Sequence, residues 1–168
     1  MLSFIKFCYY VSGAFFIFWL FFSYYQFPEF VPVAYSSNTG LNELISKQYI
    51  FYFSGGVFLV VNVTIMLLRR LTKSFPLSIL PIPNKKFWFE NEDSREALVE
   101  VFSVWYYSLN WLFNMLLGFI LMFLYLVVVT EYGKLSDYQY VVYGLMTTIA
   151  LWWVVLLVRL MFRTHRID

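Results

Sequence analysis

VFSVWYYSLNWLFNMLLGFILMFLYLVVV, residues 101–129, runs without one charged side chain, and its reading decides the fold. A helix of ~20 apolar residues crosses the ~30 Å hydrocarbon core of a bilayer, so this stretch is more than long enough. Lipid offers backbone groups no hydrogen-bond partners, and a helix answers that by satisfying its own amides. Three further stretches, 4–25, 48–68 and 138–158, share the character and hold no charge in their middles. The expected fold is therefore all-α: one polytopic membrane domain over residues 1–168 with four transmembrane helices.

Composition agrees with this reading. The chain is 61% hydrophobic and 13% charged, against ~25% charged in an ordinary soluble domain. Four spans and their loops use up the length, and a net charge of +2 argues against a nucleic-acid partner. Ten of the twelve Lys and Arg residues lie at the two ends or in the segment 69–100. Positive charge collects on the cytoplasmic side, so both termini and 69–100 are expected there, with 26–47 and 130–137 facing outward. The run after Lys6 is too long for a signal-peptide core and lacks a small-x-small cleavage site, so it reads as a retained helix.

Within the long apolar stretch, Ser103, Tyr107, Asn110, Asn114 and Gly118 recur at intervals of four, three, four and four. That spacing sets them on one helical stripe. Amides in lipid favour a partner and small residues let helices approach, so the stripe should face protein, as packing or as a polar site. Asn62, Gly144 and Thr148 are the candidate partners on neighbouring spans. Asp93 with Glu96 resembles a capping box, and a helix over 94–129 would rise ~54 Å, well beyond the hydrocarbon thickness.

The segment 69–100 mixes apolar and basic residues. Arg69, Arg70, Lys85, Lys86 and Trp88, with Arg159, Arg163 and Arg166 at the C-terminal end, are candidates for lipid headgroup or partner contact. Whether this segment lies on lipid or docks on protein is open from composition alone. In the outward segment, Pro28 and Pro32 favour extended chain, and Ser36, Ser37, Asn38 and Gly40 supply turn chemistry.

Catalytic signals are sparse. The sequence has one His (His165) and one Cys (Cys8), with no HExxH and no Gly-rich phosphate loop. No metal, haem or other cofactor is expected. No Asp, Glu, Lys or His stands at mid-bilayer depth, which argues against a proton-coupled carrier.

Two segments carry a resemblance. Pro28-Glu29-Phe30-Val31-Pro32-Val33-Ala34-Tyr35, with Gly40 beyond it, resembles the P-x-x-V-P-x-H-[FY] loop of small bacterial multi-pass proteins related to the Sdp-type immunity and signalling proteins. Pro83-Asn84-Lys85-Lys86-Phe87-Trp88 resembles their PNK-x-[YF]-W segment. Ala34 stands where that family usually has histidine. The resemblance implies a small bacterial inner-membrane protein, with Pro28, Val31, Pro32, Tyr35 and Gly40 as the outward loop's features.

The expected function is a non-enzymatic accessory or regulatory subunit packing against other integral membrane proteins. The alternatives are an immunity or sensor protein meeting an extracytoplasmic ligand or toxin at 26–47, and a small oligomeric channel or carrier lined by Ser103, Asn110 and Asn114.

Overall fold

The computed structural model describes residues 2–35, 42–74, 82–129 and 139–161. In chain order they form α1 (Leu2–Gln26), β1 (Phe30–Tyr35), β2 (Asn42–Ser46), α2 (Lys47–Ser74), α3 (Lys85–Trp88), α4 (Glu92–Val128) and α5 (Gln139–Met161). Among the described residues α1, α2, α4 and α5 are long and apolar enough to cross a membrane. The chain is an all-α integral membrane protein with one small hairpin.

Helix α4 is the axis on which the others pack. It touches α1, α2, α3, α5 and β1, and buried side chains lie around it from Leu98 to Leu124. Helix α1 runs parallel to it, as three ring contacts in register show: Tyr9 with Tyr107, Phe15 with Phe119 and Trp19 with Tyr125. Helix α2 returns antiparallel to both, with Phe58 stacked on Phe16 at 4.4 Å between centroids and Asn62 meeting Asn114. Helix α5 packs through Ile149, Trp152, Leu156 and Leu160 onto a cluster that includes Leu98, Trp105 and Leu109.

At 37 residues, α4 rises ~55 Å, and its excess over the hydrocarbon thickness lies at the end rich in Glu and Arg. Its start differs from the capping box expected at Asp93 and Glu96. Asn91 is the N-cap, accepting from the Ser94 amide at 2.8 Å, while Glu92 and Asp93 occupy the first turn. A neutral amide oxygen does the capping, and the carboxylates act through the positive helix end instead.

Segment 82–91 docks on the bundle. Trp88 is 2% exposed, and its indole Nε1–H donates to the Leu160 carbonyl at 3.2 Å. Asn84 takes the left-handed conformation that asparagine tolerates (φ 52°), and its Nδ2 donates to the Met161 carbonyl. Two side chains from the Asn84–Trp88 turn therefore tie it to the backbone of α5. Trp88 is thus a correction to the expected lipid or partner contact: it is engaged within the chain.

Between α1 and α2 the chain forms a hairpin. β1 pairs antiparallel with β2 from Phe30↔Ser46 to Tyr35↔Asn42, with an irregularity between Pro32 and Ala34. Alternation along the strands turns Val31 inward, where it is fully buried beside Phe27 and Leu124, and leaves Phe30 and Leu44 exposed. The prolines do favour extended chain, but the pairing itself was not apparent, because Pro32 argues against a strand interior.

Trp88→Ala should cost about 3–5 kcal/mol, the usual range for truncating a buried ring. Trp88→Phe should retain most of the packing and lose the bond to the Leu160 carbonyl. Equilibrium unfolding in mixed micelles measures both. At Gly118 an added Cβ would stand 2.5 Å from the Phe15 ring, whereas at Gly144 it would meet nothing within 4 Å. Gly118→Ala should therefore destabilise by about 1–3 kcal/mol through overpacking, and Gly144→Ala should leave the same unfolding curve unshifted.

Candidate functional site

The polar stripe of α4 meets α1 and α2, and it divides into two parts. At the level of Asn114, fully buried, the amides of Asn62 and Asn114 face each other. Asn62 Nδ2 donates to Asn114 Oδ1 at 2.9 Å and to its own helix's Phe58 carbonyl at 2.8 Å; Asn114 Nδ2 answers toward Asn62 Oδ1 at 3.4 Å. Gly13 of α1 completes the level, since a Cβ placed there would stand 3.8 Å from Asn114 Nδ2. One turn further on, Gly118 lets the Phe15 ring lie against the α4 backbone.

Toward the basic end the stripe opens into a cavity of about 170 Å³. Its polar lining is Tyr9, Tyr10, Arg69, Tyr106, Tyr107 and Asn110, and Ile65 with Met66 supply an apolar wall. The Tyr107 ring is a platform for two cations: the Arg69 guanidinium stands 4.5 Å from its centroid and Lys6 Nζ 5.8 Å. Among the described residues neither cation has a carboxylate partner. The Thr72 hydroxyl donates to the Leu68 carbonyl and stands 3.2 Å from the Tyr106 hydroxyl, closing the rim. Asn110 is 4% exposed, and its Oδ1 has no hydrogen-bond partner. A buried acceptor left unmatched carries a desolvation cost of ~1–3 kcal/mol.

The other sequence candidates are dispersed. Ser103 is half-buried on α4. Gly144 and Thr148 lie on an exposed face of α5, away from the stripe, and Thr148 bonds only the Gly144 carbonyl of its own helix. Arg70, Lys85 and Lys86 are exposed and Arg159 is half-buried, while Arg163 and Arg166 lie outside the described residues. In the hairpin Pro28 is exposed, Val31 buried and Pro32 half-buried; Tyr35 ends β1, and Gly40 lies outside the described residues. Asn110 and Asn114 are turned into the interior of a single chain. A pore lined by them would have to pass through the protomer rather than between copies.

Lys6, Tyr9 and Tyr10 were missed as site residues, whereas Arg69, a candidate for headgroup or partner contact, is the cation at the cavity. Lys6, Tyr9, Tyr10 and Gly13 fall at i, i+3, i+4 and i+7, a helical stripe that faces α4 in part, and that spacing was available to find them. Among the described residues no three His, Cys, Asp or Glu side chains gather as a metal ion would require. No protein-family model, curated protein or solved structure matches the chain.

A double-mutant cycle on Asn62→Leu and Asn114→Leu should return a coupling of ~0.6 kcal/mol, and at most ~1.7, the mean and the maximum found for polar pairs between membrane helices. A coupling indistinguishable from zero in micellar unfolding would show that the pair does not hold α2 to α4.

Proposed function

We propose that this chain is a non-catalytic subunit of the bacterial inner membrane, with both termini cytoplasmic, that packs against a larger membrane protein through α5. The observation behind the reading is the unmatched half of that helix. From Ile149 to Leu160 α5 packs on α4, but around Gly144 there is open space. Thr147 and Thr148 are exposed there and bond only the Tyr143 and Gly144 carbonyls of their own helix. In hydrocarbon an apolar face gains nothing by leaving lipid, so helix association rests on close approach at small residues. Gly144 and Thr148, four apart, provide such a surface for one transmembrane helix of a partner. The cytoplasmic placement of the termini is supported by the ten basic residues that share their side.

A second reading, an immunity or sensor protein, is favoured by one feature of the hairpin. Its free face presents Phe30 and Leu44, 57% and 60% exposed, on the side away from most of the basic residues. The resemblance to Sdp-type proteins supports the same reading. Survival of cells carrying Phe30→Ser with Leu44→Ser, challenged with membrane-active peptides, separates the two: lost protection speaks for the sensor, and unchanged survival removes it.

Gentle extraction from the native membrane and native sizing should recover the chain with a larger membrane protein. Gly144→Leu with Thr148→Leu should release most of that partner while the chain itself remains folded. A monomer without a co-purifying protein, or a partner retained undiminished by the double variant, would overturn the subunit reading.

A further inference from the structure

The cavity between α1, α2 and α4 has the features of a ligand site independent of any partner on α5. Its volume of about 170 Å³ is below the ~300–1,000 Å³ of sites for drug-sized molecules and suits a compact polar group. Tyr10 and Met66 line it and are themselves exposed on the outer faces of α1 and α2, so it opens sideways between these helices, toward lipid. Three properties then restrict the occupant. Arg69 and Lys6 converge on one ring with no carboxylate among the described residues to balance them, which calls for an anion. A guanidinium grips a phosphate through two parallel N–H donors, and tyrosine hydroxyls can complete its shell. Asn110 lies three residues beyond Tyr107, ~4.5 Å along α4, and its buried Oδ1 is an acceptor awaiting a donor.

We infer that this cavity binds a phosphate ester bearing a free hydroxyl, the head group of an anionic glycerophospholipid entering between α1 and α2. The phosphate pairs with Arg69, supported by Lys6, and the hydroxyl donates to Asn110 Oδ1. An ammonium head group could also donate to Asn110, but it would bring a third cation beside Arg69 and Lys6. Basic pockets between membrane helices on the headgroup side are suited to anionic lipids for this reason. The acyl chains remain in the bilayer along Ile65 and Met66.

Native mass spectrometry of the full chain, released from nanodiscs, tests this. Nanodiscs containing phosphatidylglycerol should leave one lipid bound per chain, and those of phosphatidylcholine or phosphatidylethanolamine should leave none above background. Arg69→Gln should weaken phosphatidylglycerol retention roughly fivefold or more, the factor expected for losing one basic contact at a membrane surface. Arg69→Lys, which keeps the charge, should restore part of it and show that folding is not the cause. Asn110→Leu should weaken phosphatidylglycerol but not phosphatidylmethanol, an anionic phosphodiester with no hydroxyl to donate. Equal retention of zwitterionic lipids, or indifference to Arg69→Gln in a chain with an unchanged melting temperature, would overturn the site. Binding of sn-glycerol 3-phosphate in place of the lipid would overturn the lipid as its source.

Discussion

Two amides facing each other inside an apolar bundle, Asn62 of α2 and Asn114 of α4, govern how the helices meet. Helices in lipid have no hydrophobic reason to associate, because the chains around them are as apolar as leucine. What separates the packed arrangement from a loose one is close approach and the pairing of polar groups. Asn114 is fully buried, bonded across to Asn62 and set beside Gly13. One turn on, Gly118 admits the Phe15 ring. Together these fix α1, α2 and α4 in register, and the stacked Phe16 and Phe58 extend that register toward the hairpin.

The register has a consequence at the other end. With Asn62 set against Asn114, Arg69 arrives seven residues along α2 beside Tyr107, seven residues back along α4. The parallel α1 brings Lys6 to the same ring. A cavity between three helices, with two cations that have no carboxylate partner among the described residues, thus follows from the register that the amide pair sets. Helix α5 is held differently. Its packed half is anchored by Leu156 and Leu160, and Asn84 and Trp88 of the docked α3 turn bond the Met161 and Leu160 carbonyls. Among the described residues the half around Gly144 has no such anchor.

Four spans were legible because bilayer thickness imposes a length that ~20 apolar residues must meet. The polar stripe was legible because amides are rare enough in such segments to show a helical period. Its partners were legible only in part, since beyond the Lys6-to-Gly13 stripe of α1 no periodicity on α1 or α5 tells a lipid-facing flank from a protein-facing one. Trp88 illustrates the limit. An aromatic ring among lysines suits a headgroup boundary and a buried plug equally well, and only its bond to Leu160 distinguishes them. The hairpin was obscured by Pro32, which weakens the strand signal although a two-stranded ribbon leaves its missing amide harmless.

By itself the sequence determined the medium, the number of crossings and the face of α4 that seeks protein, because each follows from the thickness of the bilayer and the cost of burying polar groups. The tertiary structure decided which residues that face meets. It matched Asn62 rather than Gly144 and Thr148 to the stripe, drew Lys6 and Arg69 to one ring, and left Asn110 unmatched. These choices depend on the rotation of each helix about its own axis, which uniform hydrophobicity leaves undetermined and close packing alone selects.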